Sequence, residues 1–268
     1  MGSTHNTILQ DTLFVKPWQD RSTLRLPGVN PLAWSHWLLQ DETFAQQMAY
    51  RDALIINKRA AVFMTDQIAS KASQELLDII LRQLKKSQKY HFQRTQITRP
   101  DGIKIDVNSD HPLIIAGRLV QQDLCILQKS DGEHVLTGGI LCFPSNWRLN
   151  EKIGHPLSII HNPVASYDGT MGKRVQRIFD GIKPDNPVWR ANYLLYATSN
   201  LFQPNREKRA TRDTGKFIRV ERQSLIKLPK SDAVVFGIHT NLVSMSTVSD
   251  TDRESFLNAW ESTQHYVD

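Results

Sequence analysis

The stretch TGGILCFPSNWRLNEKIGHPLSIIHNPVASYDGTMGKRVQRIFDGIKPDNPVWR, residues 137–190, decides the fold of this chain. The apolar run at residues 139–143 predicts a strand that ends at Pro144, because proline has no N–H to continue a strand ladder. Pro156 and Pro163 then prevent a long helix, so we expect short turns between them. These turns form a wall that is suited to line a ligand.

An amphipathic helix follows in the same stretch. Its apolar residues recur at the spacing of one helix face. They are Met171, Val175, Ile178, Phe179 and Ile182. His161 therefore lies just before a helix whose apolar side faces the core.

Composition places the chain among ordinary globular proteins. It has 268 residues, of which 40% are apolar, and no apolar run approaches the roughly 18 residues that a membrane span needs. Its first residues lack the apolar segment of a secretory signal. We therefore expect a cytoplasmic protein with no membrane partner.

The net charge of +6 raises the question of nucleic-acid binding. The densest basic cluster, residues 85–89, closes a predicted helix, where cations suit the helix dipole and water. No zinc-finger or RNA-binding motif accompanies it. We interpret this cluster as a solvated face and expect no nucleic-acid partner. A basic surface could equally guide an acidic electron-transfer partner.

Two cysteines, Cys125 and Cys142, are too few for a four-cysteine iron–sulfur or zinc site. Each lies in an apolar run, where a free cysteine behaves as a small hydrophobic residue. If Asp131 and Gly132 form a two-residue hairpin turn, Cys125 lies opposite Gly138. That register disfavours a disulfide between the two cysteines.

The order of predicted elements indicates an α+β fold. Helices are predicted at residues 37–63 and 73–86, and a closing helix at 251–264 begins with a Thr251–Glu254 capping box. Strands are predicted at residues 113–127, 135–143, 192–198, 217–228 and 233–243. This order predicts a five-stranded antiparallel sheet with helices on one face, as in PAS domains. We divide the chain into an N-terminal arm and helical extension (1–110), a PAS-like domain (111–246) and a C-terminal helix (247–268).

Two residues are candidates for a binding site on pattern alone. Arg222 shares a strand face with the aliphatic residues Ile218, Val220 and Ile226. A buried arginine needs a partner, which is either an internal carboxylate or an anionic or polarised ligand. The pattern favours the carboxylate. His161 is either a hydrogen-bonded or exposed histidine or a ligand. No partner stands at zinc-type spacing, so as a lone ligand it would suit haem iron better than zinc.

Several long segments of the chain carry a resemblance to a known family. They are LVQQDLCIL (119–127), LTGGILCFPSNWRLNEKIGHPL (136–157), IHNPVASY (160–167), PVWRANY (187–193) and RVERQSLIKLP (219–229). Together they strongly resemble the haem-dependent oxidative N-demethylase α-subunit-like family, over roughly residues 35 to 245. The resemblance implies a PAS fold that binds haem b. It also implies that the protein is an iron-dependent oxidoreductase.

The resemblance also implies roles for individual residues. His161 of IHNPV is the expected ligand of the iron, and Arg222 of RVERQ is the expected catalytic group beside bound O2, with Tyr167 as a second catalytic candidate. The residues expected to bind the cofactor are His161, Arg190, Trp189 and Ile160. At His239 the family pattern has an arginine, so the resemblance supports no propionate or partner contact there.

The expected reaction is that of a haem-dependent monooxygenase. A small secondary amine such as dimethylamine would be oxidised with O2 and lose formaldehyde. Electrons would come from NADPH through FMN and a 2Fe-2S centre on partner subunits, since this chain has no site for them. The alternatives are a haem-binding PAS gas sensor or haem-binding protein without turnover, and a PAS-like scaffold that has lost its cofactor.

Overall fold

We describe the protein from a computed structural model that covers residues 7–24, 28–161, 169–205 and 210–264. The helices of this part of the chain are α1 (Arg21–Leu24), α2 (Phe44–Asn57), α3 (Arg59–Val62), α4 (Ser70–Leu84), α5 (Pro112–Leu119), α6 (Leu157–His161), α7 (Gly169–Gly181) and α8 (Asp250–Gln264). Its strands are β1 (Asn30–Pro31), β2 (Phe63–Thr65), β3 (His91–Gln93), β4 (Gln96–Thr98), β5 (Lys104–Asp106), β6 (Asp123–Ser130), β7 (Glu133–Ile140), β8 (Val188–Tyr196), β9 (Phe217–Lys227) and β10 (Val234–Ser244).

The larger of two sheets has seven antiparallel strands in the order β1-β8-β9-β10-β6-β7-β2. The five long strands β6 to β10 form its centre, and the short strands β1 and β2 extend it at the two edges. The α+β class is therefore confirmed, whereas the predicted number of five strands was wrong. Strands β3, β4 and β5 form a separate small sheet in a polar region for which no strands were predicted.

Helices cover both faces of the large sheet, so the prediction of helices on one face was wrong. Alternate residues of β9 point to opposite faces, which we call the Arg222 face and the Glu221 face. On the Arg222 face, α2, α4 and α5 share an apolar cluster with Ile226, and α8 shares a second cluster with Val220. On the Glu221 face, α6 and α7 pack in a third cluster with Leu225. Each helix buries one apolar stripe against the sheet, so helices on both sides bury apolar residues on both of its faces.

The β6–β7 hairpin confirms the predicted turn at Asp131 and Gly132. Both residues have positive φ, 50° and 86°, which a two-residue hairpin turn requires. A bulge after Ile126 shifts the register by one residue, so Cys125 lies opposite Gly139 and not Gly138. Both cysteines are free and buried.

Two predicted elements differ in type from those observed. The predicted strand at 113–127 begins with helix α5, because His111 Nδ1 accepts a hydrogen bond from Leu113 N at 3.2 Å and Pro112 occupies the first helical turn. A short apolar run does not distinguish a buried helix from a strand. The predicted helix at 37–63 is divided into α2, α3 and β2, since Phe63–Thr65 pairs with β7 instead.

Helix α8 begins one residue before the predicted start, and Ser249 caps its N-terminus. Ser249 Oγ accepts from Asp252 N at 3.2 Å and donates to the Asp252 carboxylate at 2.8 Å. The predicted Thr251–Glu254 box does not form because Thr251 already lies inside the helix. The division of the chain at residues 110 and 246 stays a prediction.

A buried ion pair joins α2 to the central sheet. Arg51 donates to Asp123 at 2.6 Å, and both side chains are fully buried. The Asp123 carboxylate also accepts from the backbone N–H groups of Cys142 at 2.7 Å and Phe143 at 2.9 Å. The carboxylate thus fixes the chain just after β7, where the sequence enters the long connection to β8.

We predict that Asp123→Ala lowers the free energy of unfolding by about 3–5 kcal/mol, because it leaves Arg51 buried without a counter-charge. Urea unfolding measures this loss. Asp250→Ala is the matched control, since Asp250 is 89% exposed and, among the described residues, pairs with Arg253 alone at the start of α8. The control should change the stability by no more than about 0.5 kcal/mol. A similar small change in Asp123→Ala would contradict the assigned role.

Candidate haem-binding site

The cross-strand register distributes the predicted site residues over both faces of the sheet. Trp189 pairs with Ser224, and Arg190 pairs with Gln223. Paired residues share a face and neighbours along a strand alternate, so Trp189 lies on the Arg222 face and Arg190 lies on the Glu221 face. The structure therefore brings Trp189 and Arg222 together and separates both from Arg190.

A buried polar network occupies the middle of the Glu221 face. Glu221 accepts from Arg219 Nε at 3.0 Å, from Asn192 Nδ2 at 3.2 Å and from Gln223 Nε2 at 3.4 Å. Arg219 also donates to the backbone oxygen of Phe143 at 2.5 Å. These bonds link β8, β9 and the end of the β7 segment, so the network is rigid and charge-balanced at Arg219 and Glu221.

Two polar atoms beside this network are buried and have no hydrogen-bond partner among the described residues. They are Arg190 Nε and Asn192 Oδ1. Burial lowers the pKa of Arg190, and the charge of Glu221 opposes that shift. Arg190 is half-buried and forms no ion pair with a described residue, so this position is suited to the anionic group of a ligand.

An apolar wall adjoins the same face and leads to His161. Ile160 of α6 packs in the Glu221-face cluster together with Val188, Phe236 and Ile178. Lys152 Nζ donates to the Ile160 backbone oxygen at 2.5 Å and fixes the end of α6. His161 is the last residue of α6. Its ring lies outside the side chains that the structure describes, and Tyr167 lies outside the described residues.

These features fit a haem. A porphyrin is a flat apolar ring with two carboxylates, and its iron needs one or two protein ligands. The wall at Ile160 offers an apolar surface, Arg190 offers a cation that pairs with no carboxylate of the described residues, and His161 is adjacent in sequence to the wall. In the described ranges, no group of three or more His, Cys, Asp or Glu residues could hold a metal ion by itself.

Arg222 lies in a different environment. Its guanidinium carbon is 5.0 Å from the centre of the Trp189 ring, and no carboxylate within the described part of the chain pairs with it. The favoured interpretation of Arg222 as half of a structural ion pair was therefore wrong for these residues; the ion pair on this strand is Arg219–Glu221. Burial lowers the pKa of Arg222 to about 10.

Sequence reasoning did not select Glu221, Asn192 or Gln223 as site residues. The sequence did contain a signal, because Arg219, Glu221 and Gln223 alternate with the aliphatic residues of β9. In the structure β9 pairs with a strand on each side, β8 and β10. Charged residues at every second position of a central strand must be buried, and buried charges need partners. That inference required knowing that β9 is central.

One comparison with known proteins bears on this site. The family model described as haem-dependent oxidative N-demethylase, alpha subunit-like, matches residues 28–267. This range covers most of the chain and every described residue of the site. The chain belongs to this family.

We predict that replacing each of the two buried arginines of β9 by methionine changes the stability of the haem-free protein to a different extent. Arg219→Met should lower the free energy of unfolding by about 3–5 kcal/mol, because Glu221 loses its cation. Arg222→Met should change it by less than about 1 kcal/mol or raise it, since relief of an unpaired buried charge offsets the lost contact with Trp189. Urea unfolding of both variants compares them. An equal loss in Arg222→Met would show that Arg222 has a structural partner.

Proposed function

We propose that this member of the family binds haem b on the Glu221 face and uses it to demethylate a small secondary amine, such as dimethylamine, with O2. The observation that carries the proposal is that an apolar wall next to His161 and Arg190, whose Nε is buried without a partner among the described residues, lie on the same face of the sheet. We also propose that β6 to β10 form a PAS-like core within the seven-stranded sheet. The family membership supports haem dependence and oxidative N-demethylation.

In this proposal each residue of the Glu221 face has a separate task. His161 holds the iron through its imidazole, and Arg190 neutralises a propionate group of the haem. Ile160 and its apolar neighbours exclude water from the ring. Glu221, held by Arg219, keeps the polar end of the site fixed and limits how far Arg190 can move.

Arg222 and Trp189 face the other side of β8 and β9. A haem on the Glu221 face would not contact either side chain directly, because the sheet lies between them. Their predicted roles, and that of Tyr167, stay predictions, and the geometry favours Arg190 as the guanidinium nearest the haem.

The proposed reaction balances with one molecule of O2, two electrons and two protons. Haem, when bound, supplies the iron at which O2 is activated. One oxygen atom enters a methyl C–H bond of the amine, and the C–N bond then breaks to give formaldehyde and a primary amine. The second oxygen atom leaves as water.

We propose that the electrons come from partner subunits. The sequence contains only two cysteines, and both are buried and free, so a four-cysteine iron–sulfur cluster has no ligands here. We propose that NADPH supplies electrons through FMN and a 2Fe-2S centre on a separate reductase subunit. No helix in the described part of the chain is long and apolar enough to cross a membrane. A cytoplasmic location stays a prediction.

Haem binding is tested by the absorption spectrum of the purified protein. We expect a Soret band in the wild type and its loss in His161→Ala, because the iron loses its protein ligand. His155→Ala is the matched control, since His155 is exposed in the turn before α6 and should retain the band. Equal spectra of the two variants would exclude His161 as the ligand.

A second pair of variants tests which face binds the haem. Arg190→Met should lower the haem affinity roughly tenfold or more, since a charge-assisted hydrogen bond contributes about 1.5–3 kcal/mol. Arg222→Met removes the same group on the opposite face and should bind haem as the wild type does. The reverse result would place the haem on the Arg222 face.

Catalysis is tested with haem-loaded protein, dimethylamine, O2 and a chemical electron donor. We predict stoichiometric release of formaldehyde and methylamine, and no release when His161→Ala replaces the wild type. A protein that binds haem and O2 reversibly but releases no formaldehyde, including in the presence of a competent reductase, would be the gas sensor or haem-binding protein of the alternative interpretation.

A further inference from the structure

The largest concentration of charge in this protein lies outside the candidate haem site. Residues 79–106 contain seven Lys and Arg residues and two Asp residues, a net charge of +5, and the whole chain has a net charge of +6. The other 240 residues together therefore contribute only +1. We call residues 79–106 the basic lobe. It consists of the end of α4 and the small sheet β3–β4–β5.

The basic lobe has one face on the core and one face in water. The central residues of its three strands pack in the same apolar cluster as α4; they are Phe92, Ile97 and Ile105. Because neighbours along a strand alternate, the residues beside them point outward, as Lys104 does. Lys85 Nζ lies 5.7 Å from the centre of the Phe92 ring, so the end of α4 adjoins the sheet. The cations of the two elements therefore belong to one surface.

Six exposed cations of the basic lobe have no ion-pair partner among the described residues. They are Arg82, Lys85, Lys86, Lys89, Arg94 and Lys104. The two acids of the lobe have other partners. Asp101 pairs with the buried Arg99, and Asp106 accepts from the backbone N–H of Asn108 at 2.9 Å. The positive charge of the surface is therefore not neutralised within the described part of the chain.

Helix stability explains only part of this charge. Cations at the end of a helix suit its dipole, and this applies to Arg82 in the last turn of α4 and to Lys85 directly after it. The other four cations lie beyond the helix. Like charges that are close together repel and destabilise a fold. An anionic partner would remove this repulsion.

Arg94 is a cation at an unfavourable backbone position. It has a φ of 53° in the two-residue turn between β3 and β4. This left-handed conformation favours glycine, because a Cβ atom crowds the following carbonyl oxygen there. The surface thus carries a positive charge at a turn position where glycine would fit with less strain.

The side chains of the basic lobe favour a protein over other polyanions. Its two aromatic residues offer no stacking surface for nucleic-acid bases, since Tyr90 is only 5% exposed and Phe92 packs against the core. The outward residues of the three strands are all polar, so none could insert into a lipid surface. The chain also belongs to a family of alpha-type subunits, which implies other subunits.

We propose that the basic lobe is the docking surface for an acidic face of a partner subunit. Carboxylates of the partner pair with the six exposed cations, and the polar side chains of the outward strand face complete the contact. Because exposed charges form most of this interface, the partner associates quickly and its affinity falls with salt. The inference does not use the proposed haem.

The charge dependence is tested with poly-L-glutamate of about 50 residues as the acidic probe, at about 50 mM and about 300 mM sodium chloride. The wild type should bind the probe at least about tenfold more weakly at the higher salt concentration. Replacing Lys85, Lys86 and Lys89 together by glutamine should weaken binding at the lower concentration by at least about tenfold. Isothermal calorimetry measures both changes.

The matched control removes the same amount of charge from another exposed helix surface. Lys173, Arg174 and Arg177 of α7 are exposed and form no ion pair with a described residue. Replacing these three together by glutamine should change the affinity for poly-L-glutamate by less than about twofold. Equal losses in the two triple variants would overturn the assignment, because net charge alone would then explain the binding.

Arg94→Gly separates docking from folding. The substitution removes a cation and relieves the left-handed backbone, so it should weaken binding of poly-L-glutamate by about two- to fivefold without lowering the Tm. Unchanged binding would overturn the place of Arg94 in the docking surface.

A photo-cross-linker in place of Gln93 identifies the partner in cells that produce the protein. Gln93 is exposed on the outward face of the basic lobe, and Asn258 is an exposed control position on α8. We expect a cross-link from position 93, and not from position 258, to a peptide rich in Asp and Glu that belongs to another protein. The triple glutamine variant of the lobe should lose this cross-link.

Four results of the cross-linking would overturn the proposal. They are a cross-link to nucleic acid, to lipid or to a second copy of this chain, and no cross-link at position 93. None of these measurements requires haem, so a failure of haem binding would appear in the absorption spectrum and leave them unchanged.

Discussion

The structure depends on the way in which one buried carboxylate joins the N-terminal helices to the sheet. Asp123 binds Arg51 of α2 and two backbone N–H groups after β7, all without solvent. The second of these groups belongs to Phe143, whose carbonyl oxygen accepts from Arg219. Arg219 in turn holds Glu221. A continuous chain of hydrogen bonds and ion pairs therefore runs from α2 to the candidate haem site.

The central position of β9 buries polar side chains on both faces of one strand. Its neighbours β8 and β10 pair along its whole length, so both of its faces are buried. On the Glu221 face, Arg219 and Glu221 pair with each other, whereas Arg190 pairs with no carboxylate of the described residues. On the Arg222 face, Arg222 and His239 Nδ1 lack partners within the same part of the chain. Buried groups without partners destabilise a fold, so proteins retain them mainly where a ligand completes them.

Much of the sheet could be predicted from local sequence. The Asp131–Gly132 turn, the strands β7 to β10 and the helices α4, α7 and α8 follow from turn chemistry and from apolar periodicity, which act over a few residues. The helix at Pro112–Leu119 was missed because a short, mostly apolar run suits either a buried helix or a buried strand. The bulge after Ile126 and the edge strands β1 and β2 were missed because they arise from pairing with distant segments.

The sequence by itself determined the α+β class, the family resemblance and the alternation that places Arg222 and Glu221 on opposite faces, since a strand has a side-chain period of two wherever it lies. Only the tertiary structure decided which residues share each face across strands, because register depends on the whole sheet. It thereby grouped Arg190 with Glu221 and the wall at Ile160, and grouped Arg222 with Trp189 and His239. Partners of buried charges come from remote parts of the chain, and no local pattern specifies them.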